Sequence, residues 1–274
     1  MVESILIALA VVAALGLIAA ILLVLSAHFF AVKVDERFTK IRACLPGANC
    51  GACGFAGCDG YAQALAEGKV KANLCIPGAL ETVEKVSAIL GIAVEEGELK
   101  EASVAIVHCN GTCDAAPRKA IYDGVNSCRA ATALYGGAVA CRFGCLGCGD
   151  CAAVCPLGAI CVQDDIAHVD SRICIGCGLC AKTCPKGIIS LIPRDSKTVV
   201  LCSNTEKGAI ARKNCKNACI GCKKCELNCP EKAITVTNNL AVIDYDKCTG
   251  CGICESNCPV HCIKPVDFET GSIG

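Results

Sequence analysis

Between Ile5 and Leu25 the chain carries no charged residue, and its only interruptions are small residues such as Gly16. A run of about 20 residues at 1.5 Å rise reaches across the roughly 30 Å hydrocarbon layer of a bilayer. It therefore predicts a transmembrane helix. A cleaved signal peptide fits less well, because the leader holds Glu3 and no basic residue, and the run exceeds the usual apolar core of a signal. Lys33, Arg37, Lys40 and Arg42 follow the run, which by the positive-inside rule leaves the N-terminus outside and the rest of the chain cytoplasmic. His28, Phe29 and Phe30 would lie at the interface.

Beyond the helix the periodicity shortens. Asp35 to Cys44 and Ala79 to Leu90 mix charged and apolar residues at helical spacing, the second stopped by Gly91. Ser103 to Val107 predicts a buried strand. Gly187 to Ile192 and Lys232 to Val236 are short and β-branched, and read as edge strands of small β-α-β units. Glu95, Glu96, Glu98 and Glu101 form an acidic linker or solvated face.

Composition changes the picture sharply. Among 274 residues there are 29 cysteines, one Met, no Trp and zero formal net charge, so metal or disulfide must replace much of the core. The balanced charge argues against a nucleic-acid binder. One cysteine phrase occurs four times, each copy closed by proline: Cys145, Cys148, Cys151, Cys155; Cys174, Cys177, Cys180, Cys184; Cys219, Cys222, Cys225, Cys229; and Cys248, Cys251, Cys254, Cys258. This is the bacterial ferredoxin spacing, in which three close thiolates hold one [4Fe–4S] cluster and the fourth reaches its neighbour. The expected sets are Cys145/148/151 with Cys184, Cys174/177/180 with Cys155, Cys219/222/225 with Cys258, and Cys248/251/254 with Cys229. Zinc is the rival metal, but it has no use for a third cysteine at the same step. Regular runs of this kind need reduced thiolates, hence the cytoplasmic side.

Cys50, Cys53, Cys58 and Cys75 make a further four-thiolate motif within a Gly-rich loop. Its glycines allow backbone N–H groups to approach the cluster sulfurs. A fifth [4Fe–4S] cluster is expected there, with zinc again the alternative.

A single N-terminal membrane helix, then LPGANCGACGFAGCDGYA, then Cys75-Ile-Pro-Gly and ferredoxin phrases, resembles the RnfB family, the B subunits of the Rnf-type ion-translocating ferredoxin:NAD oxidoreductases, over essentially the whole chain. The resemblance implies a subunit of a cell-membrane complex that passes electrons between reduced ferredoxin and NAD while moving Na⁺ or H⁺, with this subunit as the entry point for ferredoxin electrons. Soluble ferredoxin, the membrane and the other subunits are its implied partners. The expected fold is α+β: a transmembrane anchor over 1–30, a small [4Fe–4S] domain over 31–104, a Cys-rich connector over 105–143, and two tandem ferredoxin-like modules over 144–197 and 198–274.

The connector is harder to read. The modules repeat at an offset of 74 residues, which matches Cys128 and Cys141 to Cys202 and Cys215. Cys109 and Cys113 have no counterpart in the second copy, so Cys109, Cys113, Cys128 and Cys141 are expected to hold a sixth cluster. Buried thiols or a redox disulfide are the alternative. Cys44, Cys161, Cys202, Cys215 and Cys262 are left as small buried apolar residues. Arg212, Lys213, Lys216, Lys223 and Lys224 form either a rim that steers an acidic ferredoxin or an ordinary solvated face.

No strand–GxGxxG–helix phrase, P-loop or flavin signature occurs. NAD and flavin sites belong on partner subunits, and no complete active site lies on this chain. Two other readings share these features: the iron–sulfur subunit of another membrane hydrogenase or dehydrogenase, and a zinc-built membrane scaffold without redox chemistry.

Overall fold

The computed structural model describes residues 2–29, 36–92 and 102–273. Lys33, Asp35, Phe30 and the acidic stretch from Glu95 to Glu101 lie outside the described residues. The first helix, α1 (Val2–Phe29), contains a 22-residue apolar stretch, Ile5–Ser26, whose large side chains are exposed to the surroundings. A helix apolar on every side has no preferred face for a protein core, which suits it to lipid.

Three helices build the next unit: α2 (Glu36–Cys44), α3 (Cys58–Ala66) and α4 (Ala79–Leu90). Ile41, Tyr61, Ala62, Leu65 and Val86 are its buried centre. Gly91 ends α4 in the left-handed conformation that an L-residue adopts at a cost.

The remainder contains β1 (Ser103–Val107), α5 (Cys128–Ala133), α6 (Asp150–Ala153), β2 (Ile160–Gln163), β3 (Ile166–Val169), α7 (Leu179–Thr183) and β4 (Ile189–Pro193). The second half follows with β5 (Thr198–Val200), α8 (Gly208–Asn214), α9 (Lys224–Leu227), β6 (Ile234–Thr237), β7 (Leu240–Ile243), α10 (Ile253–Ser256), β8 (Ile263–Asp267) and β9 (Ser272–Ile273). Each half pairs a hairpin, β2–β3 or β6–β7, with a long-range pair, β1–β4 or β5–β8. All these pairings are antiparallel, so the β-α-β expectation for 187–192 and 232–236 gives way to antiparallel ladders. The helices between the strands have only four to seven residues, shorter than the helical crossover that a parallel pair usually uses.

Strand β1 joins the two halves. Its side chains alternate between faces, as the pleat requires. Ala105 and Val107 pack with Cys145, Cys151 and Cys180 in the first half, whereas Val104 and Ile106 pack with Val199, Leu201, Val266 and Phe268 in the second. It starts at Ser103 and pairs with β4 from Ser103↔Pro193 to Val107↔Ile189, so the expected boundary at 104/105 falls inside a strand of the first module.

Candidate metal centres

Each ferredoxin phrase turns sharply around its cysteines. Gly176, between Cys174 and Cys177, sits at φ 65°, and a Cβ built there would lie 2.3 Å from the Ser103 carbonyl oxygen. The loop thus presses directly on β1, close enough for the Ala105 N–H to donate to Cys174 Sγ at 3.5 Å, as does the Gly176 N–H. At the equivalent second turn, Gly149, Gly178 and Gly252 have positive φ, and Lys223 adopts φ 60° in the third phrase.

The fourth cysteine of each phrase faces the other phrase. One cavity is lined by Cys155 together with Cys174, Cys177 and Cys180, and another by Cys229 together with Cys248, Cys251 and Cys254. Cys145, Cys151 and Cys184 line a third cavity, with Cys148 in the electrostatic neighbourhood of Cys145. Cys225 stands in the same relation to Cys219, Cys222 and Cys258. The Ala159 N–H donates to Cys155 Sγ and the Ala233 N–H to Cys229 Sγ, both at 3.3 Å and 74 residues apart. Burial pushes the Cys151 thiol up to about 12 and those of Cys180 and Cys225 up to about 11. Sulfurs this dry carry charge only beside a compensating cation.

In the N-terminal unit, Cys75 lies in the electrostatic neighbourhood of Cys58, Cys53 and Cys50, and burial raises its thiol. The loop is braced by Asn49, whose Oδ1 accepts from the Cys58 N–H at 2.8 Å, and by an ion pair between Arg42 and Asp59. Tyr61, 1% exposed, donates from its hydroxyl to the Lys71 carbonyl at 2.8 Å and accepts from the Leu74 N–H at 3.2 Å. It thereby fixes the segment leading into Cys75. On its outer side this set approaches the first module, with Cys50 in the electrostatic neighbourhood of Cys177.

These donor sets fit iron–sulfur clusters. They consist of sulfur alone, several sulfurs accept backbone N–H groups, and apolar side chains surround them. Tetrahedral zinc with Zn–S near 2.3 Å would draw its sulfurs to within about 3.8 Å of one another. Among the described residues, no group of three or more Cys, His, Asp or Glu side chains converges closely enough to hold a single metal ion.

The connector cysteines are arranged differently from the expected quartet. Cys109 and Cys141 line one cavity, but Cys113 is exposed and Cys128 lies at another cavity, beside Cys145, Cys148 and Cys151. Completing the Cys109 and Cys141 cavity are Cys202 and Cys215, both buried. Of the other cysteines read as buried apolar residues, Cys161 is exposed on β2, where the outward face of a hairpin carries it. Cys262 is 1% exposed and its Sγ lies 3.7 Å from that of Cys258. Thiol–thiol contacts with Cys262 hold Cys219 and Cys258 below the ordinary cysteine range and raise Cys262 itself.

Comparison with known proteins finds iron–sulfur family matches over the cysteine-bearing segments. The FeS family model, described as an Fe-S cluster, matches residues 45–77. Models described as a 4Fe-4S dicluster domain match residues 144–188 and 218–262, and another spans 173–234. The chain is 43% identical over 264 residues, 96% of its length and 78% of the relative's, to the B subunit of the "Na(+)-translocating ferredoxin:NAD(+) oxidoreductase complex" of Acetobacterium woodii. It is 42% identical over 244 residues (88% of its length and 85% of the relative's) to the B subunit of the "Proton-translocating ferredoxin:NAD(+) oxidoreductase complex" of Clostridium ljungdahlii. With the B subunit of the "Ion-translocating oxidoreductase complex" of Methanosarcina acetivorans it shares 38% identity over 239 residues, 87% of this chain and 89% of the other. Relatives this similar over this much of their length leave one conclusion: the chain belongs to the RnfB family, the B subunits of Rnf-type ion-translocating ferredoxin:NAD oxidoreductase complexes.

Proposed function

We propose that this chain is the iron–sulfur electron-transfer subunit of an ion-translocating ferredoxin:NAD oxidoreductase, and that it takes electrons from reduced ferredoxin and relays them towards membrane-bound partner subunits. The observation that carries the reading is the exchange of fourth cysteines between ferredoxin phrases, with Cys155 in the cavity of Cys174, Cys177 and Cys180 and Cys229 in that of Cys248, Cys251 and Cys254. When bound, [4Fe–4S] clusters supply reversible one-electron transfer. The protein's own residues hold the sulfurs, exclude water and aim N–H dipoles at them.

The finer arrangement belongs to the same reading. The fold is α+β, with the N-terminal helix as a single-pass anchor in the cytoplasmic membrane, its start outside, and the [4Fe–4S] domain and tandem ferredoxin modules in the cytoplasm. Four clusters in the modules and one at Cys50, Cys53, Cys58 and Cys75 make five. The Cys50 end, next to the anchor, suits exit to membrane partners. Entry suits the opposite end, where Cys222 is exposed and flanked by exposed Lys223, Lys224, Arg212, Lys213 and Lys216. A basic rim around an accessible sulfur favours an acidic ferredoxin, and that attraction is screened by salt.

The test is iron and acid-labile sulfide on the anaerobically purified full chain, with the visible spectrum before and after reduced ferredoxin is added. At least about 20 irons per chain, from five four-iron clusters, with bleaching by ferredoxin is the expected result. Colourless protein loaded with zinc would overturn the reading. Charge reversal at Lys223 and Lys224 should slow ferredoxin-driven reduction and flatten its salt dependence; an unchanged salt dependence would remove the docking surface.

A further inference from the structure

We infer that Cys109, Cys141, Cys202 and Cys215 together ligate an additional [4Fe–4S] cluster, one that belongs to neither ferredoxin module and bridges the two. The inference rests on the iron–sulfur reading above.

The four sulfurs line a single cavity with Gly111, Ala116, Gly144, Asn204 and Ala218. Cys141, Cys202 and Cys215 are 6–9% exposed. Backbone amides converge on the sulfurs in a repeated pattern. Cys109 Sγ accepts from the Gly111 and Cys145 N–H groups, both at 3.4 Å. Cys202 Sγ accepts from the Asn204 and Cys219 N–H groups at 3.4 and 3.3 Å. In each case one donor lies two residues on and the other is the first cysteine of a ferredoxin phrase. The Nδ2 of Asn204, itself 1% exposed, lies 3.6 Å from Cys141 Sγ. Gly111 closes the lining: a Cβ there would stand 3.4 Å from Cys109 Sγ and 3.6 Å from Cys215 Sγ.

The site is a two-fold arrangement of one local structure. Cys109 follows β1 by two residues and Cys202 follows β5 by two, while Cys141 and Cys215 each precede a ferredoxin phrase by four. The halves are fastened across the pseudo-axis. His108 bonds through Nδ1 to the Val200 carbonyl at 2.7 Å, Ser203 Oγ donates to the His108 carbonyl at 2.9 Å, and Asn217 Nδ2 donates to the Asn110 carbonyl at 2.8 Å. Because a carbonyl only accepts, the His108 proton resides on Nδ1. Four thiols so placed, with no carboxylate in the lining and both ring nitrogens of His108 engaged by the Val200 carbonyl and Ser190 Oγ, suit an iron–sulfur cluster. Each neighbouring ferredoxin set touches the site through an amide, Cys145 on one side and Cys219 on the other.

The experiment uses the full chain, purified anaerobically in detergent. Wild type should hold about 24 irons and as many sulfides, from six four-iron clusters. The double variant Cys202→Ala/Cys215→Ala should fall to about 20, and Cys113→Ala, at an exposed position, should stay near 24 by the same count. A wild-type content of about 20 would overturn the additional cluster and leave the electron-transfer reading standing. Iron-free protein would overturn both. Loss of four irons from the Cys113→Ala variant with retention in the Cys202/Cys215 variant would also sink this ligand set. If the double variant does not fold, Cys202→Ser keeps an anionic ligand. It should shift the midpoint potential of about one sixth of the reducible absorbance and leave the rest; an unshifted titration with full iron counts against the site.

Discussion

The contact between Gly176 and β1 is open to a controlled test. Gly176 and Gly178 lie two residues apart in the same loop, both with positive φ, 65° and 76°. Alanine at either position pays the left-handed cost of about 1–2 kcal/mol. Only at 176 does the new Cβ strike backbone, 2.3 Å from the Ser103 oxygen, whereas at 178 its nearest neighbour is the end of Leu191 at 3.4 Å. Cβ atoms do not approach closer than 3.0 Å, so loop or strand must yield by at least about 0.7 Å, the difference between the two figures. Displacement of this kind in a packed core adds about 1–3 kcal/mol. Gly176→Ala should therefore cost about 2–5 kcal/mol and Gly178→Ala about 1–2. At about 2–4 °C per kcal/mol for a unit of this size, the gap in Tm is about 2–12 °C, read by anaerobic circular dichroism. Faster iron release to a ferrous chelator should accompany it. Equal Tm losses and equal release rates in the two variants would refute the claim that the cluster loop is wedged against β1.

Tyr61→Phe keeps the ring but removes the hydroxyl that joins the Lys71 carbonyl to the Leu74 N–H, and should destabilise the N-terminal unit by about 1–3 kcal/mol in denaturant titrations; a change near zero would mean water replaces the hydroxyl. Lys223→Gly removes a side chain from the left-handed region, where its three equivalents are glycine. Relief of about 1–2 kcal/mol set against a glycine entropy cost of about 0.5–1 kcal/mol leaves a gain of up to about 1.5 kcal/mol, so Tm should rise while ferredoxin-driven reduction weakens. A fall in Tm would show that the lysine makes a compensating contact. Stripping iron should abolish cooperative unfolding of residues 102–273, because their cores are centred on cysteine; an apo-protein that still melts in one sharp transition would contradict this.

Much of this fold was legible from local pattern. The helix over 79–90 with its Gly91 stop is observed as read, because amphipathic spacing and a left-handed cap are written in adjacent residues. So is the strand at 103–107, although its partner, 90 positions on at Ser103↔Pro193 and 82 at Val107↔Ile189, is not visible in the pattern of either segment. The connector shows where such reading fails. An offset of 74 aligns Cys141 with Cys215 and also, misleadingly, Cys128 with Cys202. In space the counterpart of Cys202 is Cys109, at an offset of 93. The first connector is 19 residues longer, the difference between the two offsets, and Cys113 and Cys128 lie in that longer segment. The signal was present in the apolar strand, a single spacer residue and a cysteine at both Val107-His108-Cys109 and Val200-Leu201-Cys202. A fixed-offset comparison cannot detect a repeat interrupted by an insertion.

The exchange of fourth cysteines also bears on how the protein is made. Cys145, Cys148 and Cys151 leave the ribosome before the fourth cysteine expected of their set, Cys184, which lines a cavity with Cys145 and Cys151 and comes 33 residues after Cys151. At roughly 5–20 residues per second, that interval is about 2–7 s. During it, three reactive thiols stand in a nascent segment that has neither its last ligand nor the β4 strand on which β1 closes. Metal delivery must therefore wait for, or bridge, the synthesis of the following phrase, and the same delay recurs between Cys225 and Cys258. On the proposed ligand sets, maturation of this subunit would advance in paired steps set by chain topology, not one cluster at a time as each phrase emerges.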